Sequence, residues 1–403
     1  MKNTNKIALA LTSTLIMSSV VYAGDKEDIE TLKRQVKELQ EMTQTLTDET
    51  SDLKTGFNYA TVDETKAYKG LGPAASKVYY SKSPLSVGGY GETYISNTNK
   101  ADGTSAAETQ VKRFITYFGY KFSDNIVLNT EIEYEGGGLD AAGGGDEVIV
   151  EFMYLDFLIN NNFNVRLGNM LVPMGLINEQ HEPTLYATVQ RPKTSYYVLP
   201  TTWHESGVMI YGNVMNGLEY KAALITALQP NDAGGDKWLR KGRGGSFIVE
   251  QPKPAGVLRV DYTAINGLLA GASVYNDADI LMWDAHVDYR TNGARLYGAY
   301  AQTTRSSAVA TQVKEANGGY LNASYDVLTL ASMDFKAPIF VQYEKLSPQA
   351  KHADGTSGDA TQNVSMGVNF FPHPQVVLKA DYVLSQTNDL TDKTASFSMG
   401  FIF

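Results

Sequence analysis

Between Glu179 and Glu205 the chain places two histidines and three carboxylates in one segment, as Glu179, His181, Glu182, His204 and Glu205. Imidazole and carboxylate together are a reasonable zinc ligand set, but this spacing matches no zinc motif, and the chain has only five histidines. Nucleophilic hydrolysis would need a serine beside one of His181, His204 or His286, and no diagnostic serine motif accompanies them. Cysteine is absent, so thiolate chemistry and a disulfide framework are excluded. A basic run, Lys237, Arg240, Lys241 and Arg243, could steer anions, bind lipopolysaccharide phosphates or be plain solvated loop. The formal charge of −10 argues against a general nucleic-acid binder. These residues imply no cofactor and no catalytic site, and the charges have to be read through the elements that carry them.

Those elements alternate. In Thr394 to Phe403, the residues Phe397, Met399, Phe401 and Phe403 share one face and Ser396, Ser398, Gly400 and Ile402 the other. A soluble sandwich could bury such a strand, but the last strand of an outer-membrane barrel must show it to lipid. Sixteen similar runs follow one another from Leu85 onward, near 85 to 97, 109 to 122, 125 to 136, 147 to 159, 162 to 170, 205 to 214, 217 to 229, 256 to 265, 267 to 276, 281 to 291, 293 to 304, 315 to 326, 336 to 346, 361 to 371, 374 to 386 and 394 to 403. Every second connection is a tiny turn, such as Asn266-Gly267, Asn292-Gly293 or Pro372-His373, and the others are longer and polar. The expectation is an all-β fold, a transmembrane antiparallel barrel of about sixteen strands, wide enough for a wet lumen.

Alternation then assigns faces. A charge on the lipid side costs about 2 to 4 kcal/mol near the midplane, so charged positions turn inward. Arg113, Tyr117, Arg166, Arg259, Asp261, Asp284, His286, Asp288, Arg290, Lys379 and Asp381 are expected inside, with Glu131, Glu133 and Glu135 as an acidic file. The strand 147 to 159 is apolar on both faces and its register stays open.

Ahead of the barrel, Lys2 and Lys6 precede an apolar run ending in Val21-Tyr22-Ala23, which reads as a signal peptide over 1–23. Over 25–54, Ile29, Leu32, Val36, Leu39, Leu46 and Leu53 fall on heptad a and d positions, which predicts a short coiled coil and favours self-association over packing on the barrel. Residues 55–84 carry glycines and prolines without a period and read as a linker, and the barrel occupies 85–403.

The longest connection, 171–204, holds four prolines and a dense set of aromatic and aliphatic residues. A loop this long in a compact domain is usually functional, and the inner wall is where its apolar side can be buried. It is expected to narrow the pore. Arg113, Arg166 and Arg191 would then supply positive potential, opposed by Glu131, Glu133, Glu179 and Glu182, and His181, Lys193, Arg259, Arg290 and Arg295 complete the expected pore lining.

The stretches GGYGE (88–92), GNMLVPMGLINEQHEP (168–183), QRP (190–192), PTTWHESGV (200–208) and the terminal FIF resemble the phosphate-selective porin O/P family. That resemblance implies a trimeric, sixteen-stranded outer-membrane porin whose third loop folds into the lumen, passing small hydrophilic solutes or ions, phosphate among them. In this chain the arginines are scattered and interleaved with carboxylates. The rival expectation is a non-conducting structural or receptor barrel tethered by the coiled coil.

Overall fold

The structure, a computed structural model, describes residues 30–44, 67–136, 148–245, 248–331, 333 and 335–403. The signal-peptide reading, the outer parts of the coiled-coil reading and the loop 137–147 lie outside the described residues. The chain divides into two units, Met1–Ala60 and Thr61–Phe403. In the first, residues 30–44 form helix α1, on which Val36 and Leu39 of the heptad stripe are 41% and 57% exposed.

In the second unit, sixteen strands run β1 Leu85–Asn99, β2 Ser105–Ser123, β3 Ile126–Glu135, β4 Val148–Leu158, β5 Asn164–Leu171, β6 His204–Met215, β7 Leu218–Thr226 and β8 Pro254–Tyr262. They continue as β9 Leu268–Asn276, β10 Ile280–Thr291, β11 Ala294–Arg305, β12 Val313–Asp326, β13 Pro338–His352, β14 Thr361–His373, β15 Val376–Thr387 and β16 Leu390–Ile402. Each pairs antiparallel with its sequence neighbour and β1 pairs with β16, so the sheet is a closed barrel with no edge.

Period-two patterning holds the barrel the right way out. Along β8, Ala255, Val257, Arg259 and Asp261 are buried while Gly256, Leu258, Val260 and Tyr262 are exposed. Phe114, Phe118, Tyr120 and Phe122 project outward from β2, and Arg113 and Tyr117 inward. The seam between β1 and β16 explains two of the sequence motifs at once. A side chain on Gly91 would sit 2.5 Å from the Phe401 ring, and one on Gly89 would sit 2.7 Å from the Phe403 ring. The glycines of GGYGE are thus the space into which the terminal aromatics lie.

Register shifts interrupt the strict alternation in several ladders, and two of them, both β-bulges, re-aim charged side chains. Between β1 and β2 the register shifts at Glu92/Thr93, which leaves Lys112 as an extra residue, turned toward the lumen beside Arg113. Between β3 and β4 it shifts at Glu131/Ile132, and Glu151 and Phe152 both become buried. A bulge re-aims a side chain in this way, and it settles the face of β4: Phe152, Tyr154 and Asp156 point inward.

The connections sort less strictly than expected. The turns at Asn292-Gly293 and Gly267 use positive φ as their composition demands. On the opposite rim, however, the connections after β9 and β15 are as short as turns, and β13 extends to His352.

The stretch read as a linker is partly structured. Pro73–Tyr80 form helix α2, opened by Pro73 in the first turn, where its missing N–H costs nothing. It lies inside the barrel, so close to β2 that a side chain on Gly119 would meet Val78 at 2.5 Å. Asn129 of β3 donates to the Ala75 carbonyl at 2.9 Å.

Candidate functional site: segments folded into the lumen

β5 is only eight residues long, and where its wall stops the chain turns inward. Residues 172–203 leave and re-enter through a neck closed by Val172 N–H donating to the Trp203 carbonyl at 2.9 Å. Asn178 staples this neck: its Nδ2 donates to the carbonyls of Val172 (2.7 Å) and Trp203 (2.8 Å), and its Oδ1 accepts from Trp203 N–H (2.8 Å). Gly175, at φ +66°, turns the backbone so that its N–H reaches Asp284 Oδ2 (2.9 Å) while its carbonyl accepts from Arg259.

From there the segment crosses the lumen and is bonded to the wall on several sides. Ala187 N–H donates to Tyr297 Oη on β11 (2.9 Å) and Val189 N–H to Asp381 Oδ2 on β15 (2.7 Å). Lys379 donates to the carbonyls of Tyr186 (2.9 Å) and Thr188 (3.1 Å). The single helical turn α3, Thr194–Tyr197, is opened by Thr194 N–H donating to Glu344 Oε1 on β13 (2.6 Å). Lys193 reaches Asn363 and Ser385, and Lys112, brought inward by its bulge, donates to Gln190. At its other extreme Glu182 accepts from the first amides of α2, Ala74 (3.0 Å) and Ala75 (3.1 Å), where a helix favours an anion. Burial pushes the Glu182 carboxyl up to about 8, against the pull of those two amides.

A third segment also folds inward. In the connection between β7 and β8, Trp238 and Leu239 are fully buried and Trp238 Nε1 donates to the Pro348 carbonyl at 2.8 Å. The basic run around them is therefore not the free patch its composition suggests. Arg240 Nη1 donates to the Thr201 carbonyl (2.7 Å) and lies over the Tyr196 ring (4.1 Å), while Arg243 Nη1 donates to the carbonyls of Thr201 (2.9 Å) and Thr202 (2.7 Å). Burial lowers the pKa of Arg240 to about 10, with the charge of Arg243 adding to the effect, and burial lowers Arg243 too. Both arginines clamp the lumen segment; the exposed Lys237 also lies over the Tyr196 ring at 5.8 Å, and Lys241 is exposed. Replacing Arg240 and Arg243 with alanine is expected to loosen residues 196–202, read as accelerated proteolysis of that stretch in the intact barrel.

The charges named from sequence are brought together mostly as pairs. Arg113 lies 3.9 Å from Glu92 and 3.8 Å from Glu133. Arg166 grips Asp156 through two bonds of 2.9 and 2.8 Å. Glu179 joins Lys221 (2.5 Å) and Arg259 (3.5 Å), and Arg259 continues to Asp261 (2.7 Å). His286 stands between Asp261 (2.9 Å) and Asp284 (2.7 Å), while the Ser273 hydroxyl donates to Asp284, so the serine is not placed on the imidazole. Arg191 donates to the His181 carbonyl (2.8 Å) and Tyr90 Oη (3.4 Å). Arg295 pairs with Asp288 (2.8 Å) and donates to the Leu185 carbonyl (2.7 Å), which makes it a loop anchor. Arg290 also pairs with Asp288, but its side chain is 51% exposed beside the 291–294 turn. It belongs to the rim, away from the narrowed region. Glu135 is likewise exposed, so the acidic file inside is Glu131 and Glu133. Glu92, Lys112, Glu151, Asp156, Lys221 and Glu344 are among the inward charges that sequence reasoning passed over.

A closed sixteen-stranded barrel with an apolar outer band and a charged interior holding an inserted loop is a bacterial outer-membrane barrel of the porin architecture. Solved structures agree at the level of fold. The chain is similar to the anion-selective porin from Comamonas acidovorans (TM-score 0.56, 13% identity, covering 79% of this chain and 99% of that one). It is similar to Salmonella typhi OmpF in complex with daunomycin (TM-score 0.57, 14% identity, 79% and 97%) and to the outer membrane channel DcaP of Acinetobacter baumannii (TM-score 0.55, 12% identity, 79% and 97%). No protein-family model matches the chain. It belongs to the same family as an uncharacterised protein of Aquifex aeolicus (strain VF5), to which it is 32% identical over 361 residues, 81% of each chain.

Proposed function

We propose that this protein is an outer-membrane porin, a passive and non-enzymatic diffusion channel for small hydrophilic solutes or ions, narrowed by residues 172–203. The observation that carries this reading is the inserted segment itself, which crosses a charged lumen and is bonded to β10, β11, β13 and β15. Of the six arginines expected from sequence to line the pore, five sit against carboxylates and Arg191 against a carbonyl. Paired charges leave a weak net field, so the channel is expected to discriminate by size more than by sign. Phosphate is one solute to test, following the resemblance of the 168–183 motif. Self-association, as a trimer by the same resemblance, is supported by the exposed Val36 and Leu39 on α1. Lys237 and Lys241 are the groups left to meet lipopolysaccharide phosphates.

The test is reversal potential across a KCl gradient with purified protein in a planar bilayer, followed by phosphate competition. A potential near zero with no phosphate block is the expected result; strong anion preference with block would transfer the phosphate-selective role. A second reading, a barrel that does not conduct, is favoured by the fully buried side chains of Trp203, Trp238 and Tyr275 within the lumen. Absence of any conductance from folded protein would select it.

A further inference from the structure

Where the lumen segment passes β3 and β4, Glu131, Glu151 and His181 offer one ligand atom each, all within 4.8 Å of one another. Their exposures are 0%, 1% and 2%. The three come from three elements: Glu131 from the strand, Glu151 from the bulge directly across from it, and His181 from the inserted segment.

Two observations point to a missing cation. His181 Nδ1 lies 2.7 Å from the Asn178 carbonyl, which can only accept, so Nδ1 carries the hydrogen. In the neutral ring Nε2 then presents a lone pair, and it faces Glu131 Oε1 at 3.3 Å. With the ring neutral this contact joins two buried acceptors, which need something positive between them, whether a metal ion or a proton on Nε2 that would make it an ion pair. Independently, Glu131 Oε2 and Glu151 Oε2 are buried with no hydrogen-bond partner, a costly state for a carboxylate oxygen.

The surrounding charges do not supply the missing cation. Glu133, buried on the same strand as Glu131, adds a third carboxyl. Arg113 stands 3.8 Å from Glu133 and is shared with Glu92, and the Arg191 Nη2 is directed to the His181 carbonyl and Tyr90.

We propose that Glu131, Glu151 and His181 bind a divalent transition-metal ion of the zinc class. One imidazole nitrogen with two carboxylate oxygens suits zinc and its neighbours, whereas calcium and magnesium favour all-oxygen sites. The tautomer set by Asn178 is the one a ligating histidine needs, with the second ring nitrogen held by a carbonyl. The ion would tie the inserted segment to the β3–β4 wall and neutralise the acidic cluster that otherwise faces the lumen.

The test uses the full chain, purified in detergent after refolding with a chelator and then refolded again with or without Zn²⁺. Bound metal is counted by mass spectrometry after gel filtration, and the zinc absorption edge gives its ligands. The expected result is one zinc per chain with one imidazole and two carboxylates, falling to background in Glu151→Gln and in His181→Gln. Folding of each variant is checked by heat-modifiable migration on gels. Should a variant fail that check, the wild-type measurement decides alone. Zinc at background in the wild type, a ligand shell without imidazole, or equal zinc in the folded variants would overturn the site. In the first case, a His181 ring shown by NMR to be protonated on both nitrogens would identify a proton as the cation.

Discussion

Excision of residues 176–199 is expected to raise single-channel conductance severalfold while leaving the barrel closed. The neck of the inserted segment lies next to the paired residues Leu171 and His204, so joining the stubs does not disturb the β5–β6 register. The wall groups that lose partners, among them Lys221, Arg259, Arg295, Tyr297, Glu344, Lys379 and Asp381, would then face an opened lumen where water can replace the bonds they gave up. This distinguishes them from buried polar groups stranded in a dry core, and it is why the deletion is expected to cost less stability than its length suggests. Conductance in planar bilayers measures the opening, and heat-modifiable migration on gels measures closure. An unchanged conductance in a closed barrel would mean that residues 176–199 do not limit permeation.

The largest single-residue effect on stability is expected at Asp156. Its carboxylate holds Arg166 through both oxygens and accepts from Tyr79 of α2, and the guanidinium lies over the Tyr154 ring at 4.0 Å. Both side chains are nearly inaccessible, at 0% and 3%. Asp156→Ala therefore strands a buried cation and is expected to cost about 3 to 5 kcal/mol. The double change Asp156→Leu with Arg166→Leu removes both charges and is expected to recover most of that loss, because two desolvation penalties go with the pair. Urea unfolding in lipid vesicles is the measurement. A loss below about 1 kcal/mol for the single change would place the pair in the class of exposed, weakly contributing bridges. Since Tyr79 bonds to the same carboxylate, Asp156→Ala should also free α2 to proteolysis.

Much of this architecture was legible. Sixteen strands and their faces follow from period-two alternation, because lipid outside and water inside impose it on nearly every segment. The inserted segment was visible from its length and its aromatic content. What escaped has physical reasons. Period-two counting assumes one residue per step, so the two bulges hid the inward turn of Lys112 and Glu151. The connection carrying Trp238 and Leu239 reads as solvated because glycine, lysine and arginine dominate it, and only the adjacent Trp-Leu pair hinted at burial. Helix α2 is a short helix in a stretch rich in glycine and proline, which composition alone assigns to irregular chain. Charge pairing lies furthest from view: Arg259 with Glu179, or Lys379 with the 186–188 carbonyls, joins positions brought together only when the barrel closes.

The seam between β1 and β16 carries a final consequence, one of assembly. Joining the first and last strands is the step that turns an open curved sheet into a vessel, and α2, residues 172–203 and the Trp238 turn are all found within it. That last pairing needs the space that Gly89 and Gly91 leave for the Phe403 and Phe401 rings. Changes that crowd Gly89 or Gly91 against Phe403 and Phe401 should therefore act on the yield of assembled protein, and hardly at all on the permeation of those molecules that succeed in closing.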